Sequence, residues 1–154
     1  MSEKLLVICS VTENSLNHDD KNILEKGIKK LYEKHIGKHV KSVILWMEIP
    51  NGQAYLAGQV SSASTILATM PNQLPSTERS AFLYAVRDLW MAHTHCQANE
   101  LVISASDQSL VQQFLNESRL RVSKFRRLEV MTKLITRVLW AKLVRGRLQT
   151  NINL

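Results

Sequence analysis

The chain alternates between short apolar runs and longer stretches of mixed polarity. Residues 4–11 are a run rich in branched apolar side chains, closed by polar Thr12, Glu13, Asn14 and Ser15, and read as a buried strand. Residues 17–20 then supply a capping side chain and early acids for a helix. Ile23, Leu24, Ile28, Leu31, Tyr32 and His35 recur at three- and four-residue spacing, which marks one buried helix face, and Gly37 ends that helix. Residues 40–49 form a second strand-like run, stopped by the turn Pro50-Asn51-Gly52, and residues 54–60 make a short hairpin return. The same order comes again. Residues 65–70 read as a strand and 71–75 as a loop. A helix beginning at Ser76 and Glu78 turns Phe82, Val86, Leu89, Trp90 and His93 to one side. Residues 100–105 are the last clear strand.

A shift of 58 residues superposes the halves. Ile8 falls on Ile66, Asn14 on Asn72, Leu16 on Leu74, Leu31 on Leu89 and His35 on His93, with Ile28 on Val86, Tyr32 on Trp90 and Ile44 on Val102 as conservative partners. Each half is therefore β-α-β, a unit whose crossover is right-handed and whose strands are parallel. Two topologies accommodate such a pair: a ferredoxin-like split βαβ, or two pseudo-symmetric units side by side on a four-stranded sheet. Residues 1–107 form the body, as repeats 4–61 and 62–107, and residues 108–154 form a separate extension.

Charge sharpens that division. The net charge is +7, yet from Arg119 onward ten bases face a single acid, so the extension carries +9 and the rest −2. Within it, Leu110, Val111, Phe114 and Leu115 suggest a short helix. Residues 124–147 suggest a longer one with Met131, Leu134, Ile135, Val138, Leu139 and Leu143 on one side. Such a helix packs on the body or on a neighbouring subunit. As alternatives, it meets an anionic membrane surface or a nucleic acid through Arg126, Arg127, Lys133 and Arg137. No run of 18 apolar residues spans a membrane, residues 5–8 are too short for a signal peptide, and two cysteines make no secreted disulfide framework. A cytoplasmic protein is expected.

The first half resembles the tautomerase superfamily, in its 4-oxalocrotonate-tautomerase and macrophage-inhibitory-factor forms. The likeness rests on residues 17–24 at the helix start, on Ile36-Gly37-Lys38 leading into a strand, and on residues 46–58, a strand, turn and hairpin closing on glycine. Residues 64–106 look like a second unit. The resemblance implies an α+β protomer, with two pseudo-symmetric βαβ repeats forming a four-stranded sheet with helices on one face. A C-terminal helical extension lies beyond it, and the assembly is a homotrimer.

The family's base is an amino-terminal proline, whose secondary amine titrates close to neutral pH. Its place here is Lys4 or Leu5, inside the chain, so proline-dependent keto–enol chemistry is expected to be lost and a binding or structural role to remain. The alternative is a divergent tautomerase acting on a small 2-oxo acid. Substitute bases are then Lys4, if buried, and the α-amine of Ser2 after methionine removal. The resemblance also implies a carboxylate contact from Lys38 and an apolar wall from Tyr55 and Trp46, whereas Val43 replaces the arginine of the short form. No cofactor is expected. His93, His95 and Cys96 lack the ligand spacing of a zinc site, and no metal is expected.

Overall fold

The first apolar run forms β1 (Glu3–Thr12), whose period of two sends Leu5, Val7, Cys9 and Val11 to one face, all buried. A computed structural model describes residues 3–120 and 124–151. After β1 the chain enters α1 (His18–His35) through a capping box. The Asn17 side chain accepts from the backbone N–H groups of Asp19 and Asp20 at 2.8 and 2.9 Å, and the Asp20 carboxylate accepts from that of Asn17 at 3.0 Å. Leu24, Ile28 and Tyr32 make its buried face. Gly37, at φ +129°, donates to the Tyr32 carbonyl as the helix ends, a backbone state that favours glycine. β2 (Val40–Ile49) then lies parallel to β1, and the hairpin of β3 (Tyr55–Leu56) and β4 (Gln59–Val60) leads to the second unit. That unit is β5 (Ser64–Met70), α2 (Ser76–Thr94) with Phe82, Val86 and Trp90 inward, one 3-10 turn at Ala98–Glu100, and β6 (Leu101–Asp107).

The main sheet runs β6-β5-β1-β2-β7, where β7 is Leu148–Asn151. β1 pairs parallel with β2 and β5 parallel with β6, while β1 and β5 meet antiparallel at the centre. The strands of each unit are direct neighbours, which removes the split βαβ and leaves two pseudo-symmetric units. α1 and α2 cover one face, where Trp46 and Trp90 stack with ring centres 6.0 Å apart and the Tyr32 hydroxyl donates to the Thr69 carbonyl at 2.8 Å. His93 of α2 reaches Asp20 of α1 at 3.0 Å and ties the units together.

The 58-residue shift holds for the helices and fails for the strands. Leu24, Ile28 and Tyr32 correspond to Phe82, Val86 and Trp90, all buried. On the strands a shift of 59 is needed: Val7, Cys9 and Val11 then match the buried Ile66, Ala68 and Met70, and Ile44 matches Ile103. Pairing Ile8 with Ile66, or Ile44 with Val102, puts a side chain from one face onto one from the other, because a slip of one residue inverts a strand. In the structure Ile44 is buried and Val102 is 42% exposed. The two shifts together, 58 on the helix and 59 on the strand, match two ion pairs that tie each helix start to its following strand. Lys21 holds Glu48 at 2.6 Å, and Arg79 holds Asp107.

The extension departs from the expectation of helix alone. α3 (Gln108–Leu120) starts directly after β6 and packs on β5 and β6. α4 (Lys124–Arg145) is a helix of about 33 Å, stopped at Gly146 with φ +70°, after which the chain returns to the body as β7, parallel to β2. The apolar side of α4 is not packed on its own body: Met131, Ile135, Leu139 and Leu143 are 41, 49, 54 and 82% exposed. Its substantial contacts are with β7. No described helix is long and apolar enough to cross a membrane.

Candidate functional site

The start of β1 is where the resemblance puts a base. Lys4 lies on the face opposite α1 and α2, in register with Lys41 on β2, and both side chains are exposed. Two like charges thus sit side by side at one end of the sheet. Leu5 points the other way, into the core. Lys38 is exposed in the turn between α1 and β2, and Tyr55 is 67% exposed on the β3–β4 hairpin. Trp46 is fully buried against Trp90, with its indole N–H directed at the Glu25 carboxylate at 3.4 Å. None of Lys4, Lys38, Tyr55 and Trp46 lines a described cavity. Ser2 lies outside the described residues.

Beside this end of the sheet, α3 arches over the helix-free face and leaves an apolar cavity of about 330 Å³. Leu6, Ile8 and Leu67 form its floor, and Leu110, Phe114 and Leu115 its roof. The Thr69 hydroxyl, on the floor, is already committed to the Leu6 carbonyl. Leu67, Val102, Leu110 and Phe114 are 42–68% exposed, so apolar surface continues out of the cavity across the sheet and along α3. An uncovered apolar surface of this kind marks a place where another apolar surface or ligand is received.

The thiol of Cys9 is wholly buried, and burial, then the nearby Glu25 carboxylate, pushes its pKa above the usual thiol range. It is neither a nucleophile nor a metal ligand in that state. Burial, then Cys9, raises the Tyr32 phenol in the same way. Among the described residues no three His, Cys, Asp or Glu side chains gather as metal ligands. His93 is spent on Asp20. On α4, Lys133 pairs with Glu129 at 2.7 Å, whereas the side chains of Arg126 and Arg127 lie outside the described residues.

Sequence reasoning missed the opposite end of the same strands. There Arg147, directly after the helix-ending Gly146, is buried against the start of α1, and its NH2 group donates to the His18 carbonyl at 2.8 Å and the Asn22 side chain at 2.9 Å. The signal was present in Gly146, a helix stop placed just before a short polar segment.

No protein family and no curated protein matches the sequence. Among solved structures, the native Ps01740 protein is similar at 26% identity, covering 66% of this chain and 92% of its own, with a TM-score of 0.63. Pt0534, in a structure inactivated by 2-oxo-3-pentynoate, is similar at 19% identity, covering 66% and 84%, with a TM-score of 0.61. A fused 4-OT, solved as a symmetric trimer, is similar at 13% identity, covering 66% and 84%, with a TM-score of 0.58.

Proposed function

Two-thirds of this chain has the fold of the tautomerase superfamily, and from that premise we propose that it is a self-associating protein, a homotrimer, with a binding or structural role and without proline-dependent keto–enol chemistry. The carrying observation is the start of β1. Lys4 and Leu5 stand there in mid-strand, one exposed and one in the core, and the prolines of the chain are Pro50, Pro71 and Pro75, all in turns or loops. Lys4 is exposed and lines none of the described cavities, whereas a substitute base would need burial to desolvate its amine. Self-association is supported by the uncovered apolar face beneath α3 and by the exposed apolar side of α4. A trimeric fused 4-OT of the same fold supports three copies.

A second reading, a divergent tautomerase for a small 2-oxo acid, draws on Pt0534 and its inactivation by 2-oxo-3-pentynoate. One experiment separates the two. The purified protein is incubated with 2-oxo-3-pentynoate and weighed intact, and phenylpyruvate ketonisation is followed in parallel. Our reading expects no stoichiometric adduct and turnover at the buffer rate, since losing a placed general base costs roughly 10²–10⁴-fold. A single adduct on Lys4 or on the terminal amine, with turnover abolished by Lys4→Ala or Lys38→Ala, would replace it with the enzyme reading.

A further inference from the structure

Past the C-terminal ends of β1 and β2, about 26 Å along the strand from Lys4 to Thr12, the last turn of α4 and the start of β7 close over a polar cavity of about 430 Å³. We propose that this cavity binds a small oxyanion, the carboxylate or phosphate group of a hydroxylated metabolite, on Arg147. Arg147 is only 4% exposed. Its NH2 group meets three neutral acceptors: His18 Nδ1 at 2.7 Å, the His18 carbonyl and the Asn22 side-chain oxygen. Its Nε–H is buried without a partner among the described residues. No carboxylate lies within ion-pair distance of it among the described residues.

The contrast with the other cations is the point. Lys21, equally buried, is matched by Glu48, and the half-buried Arg79 is matched by Asp107. A guanidinium taken out of water without a contacting counter-ion is costly: burial pushes the Arg147 pKa below the usual arginine value, and Glu25, Asp19 and Glu48, all beyond ion-pair distance, offset that only from afar. A carboxylate or phosphate in the cavity would bring a negative charge into direct contact with the part of the guanidinium that His18 and Asn22 leave unused. The other walls suit such a guest. Arg145, exposed at the cavity rim and without an ion pair among the described residues, adds a second guanidinium, and Gln149 adds an amide. Glu48 is neutralised by Lys21. The Glu13 side chain has no partner among the described residues and stands ready to accept from a hydroxyl on the body of the ligand. Lining residues Arg145, Arg147 and Gln149 belong to the extension, so the site is assembled only when the extension is seated on the body.

His18 is the reporter. Its Nδ1 faces an obligate donor, so the ring carries its proton on Nε2, and any ligand drawing on Arg147 alters that contact. The full-length protein is titrated with inorganic phosphate and, separately, with malate, at constant ionic strength held with chloride. The His18 ring nitrogens and the Arg147 Nε–H are followed by NMR. Saturable shifts in the millimolar range are expected with at least one anion. Phosphate alone would assign phosphate esters, and malate alone would assign carboxylates. Arg145→Gln, on the exposed rim, should weaken binding roughly tenfold while β7 amides stay protected. Arg147→Lys keeps the charge but loses the planar guanidinium and its Nε–H, and should abolish saturation. Shifts absent with both anions overturn the proposal. So does equal affinity in Arg145→Gln and wild type, or a response that chloride alone reproduces.

Discussion

α2 and α4 are built alike and end in opposite surroundings. Each is about twenty residues long, and each gathers large apolar side chains along one side. α2 buries Phe82, Val86 and Trp90 completely, whereas α4 leaves Leu139, Trp140 and Leu143 54–82% exposed. The difference lies in how the ends are tied. α2 connects two adjacent parallel strands, and a right-handed crossover between such strands must fold back over their sheet. α4 also feeds a strand, but β7 joins the sheet beside β2, where the helix-side face is already taken by α1. An apolar stripe thus states that a helix needs cover and leaves open who provides it. For α2 the provider is the chain itself. In our reading, for α4 it is another copy.

Core substitutions press hardest on this contrast. Trp90→Ala empties the stack with Trp46 and should cost about 3–5 kcal/mol in urea unfolding; a loss below about 1 kcal/mol would mean that α2 is no better covered than α4. Next comes Glu48→Gln, which strands the buried Lys21 ammonium, with about 3 kcal/mol expected by the same measurement. Tyr32→Phe removes one donor to the Thr69 carbonyl and should cost about 1–2 kcal/mol. On α4 the expected stability effect is smallest. Leu139→Glu with Leu143→Glu should leave protomer unfolding within about 0.5 kcal/mol yet lower the assembly mass in light scattering. Unchanged mass in that double variant would break the assignment of another copy as the cover. Thiol titration sharpens the picture without touching stability. At pH 8 Cys96, half-buried, should react with a thiol reagent while Cys9 stays silent, because burial holds its thiol protonated. Both should react in urea.

Periodicity carried the body of the fold because each buried face there is a regular apolar stripe, and the stripes of the two halves meet in one core. Leu24, Ile28 and Tyr32 announce a helix face whatever lies opposite. Strand facing was less legible, since one residue of difference between the loops decides whether Ile8 or Val7 corresponds to the buried Ile66, and loop length carries no apolar signal. Leu148-Gln149-Thr150-Asn151 shows no alternation to mark it as a strand, and its pairing is dictated by the free edge of β2 rather than by its own composition. The candidate base position was legible as a departure, a lysine and a leucine where a proline would stand. The Arg147 cavity was not, because its walls come from residues 13–21, 48 and 145–149, and only folding brings these together.

The pairing of β7 with β2 also sets an order of events. Leu148 meets Leu45 across about a hundred intervening residues, while within each βαβ unit the paired strands are roughly 37 residues apart. The entropy of closing a loop grows with its length, and contacts of high sequence separation arrive late. β7 is therefore the last strand to dock, held by four residues and the Arg147 anchor, and the first to leave. Native-state hydrogen exchange should find the amides of residues 148–151 opening well before those of β1. Until that strand docks, β2 stands as an open sheet edge, and the chain passes through its most aggregation-prone state with its body already formed.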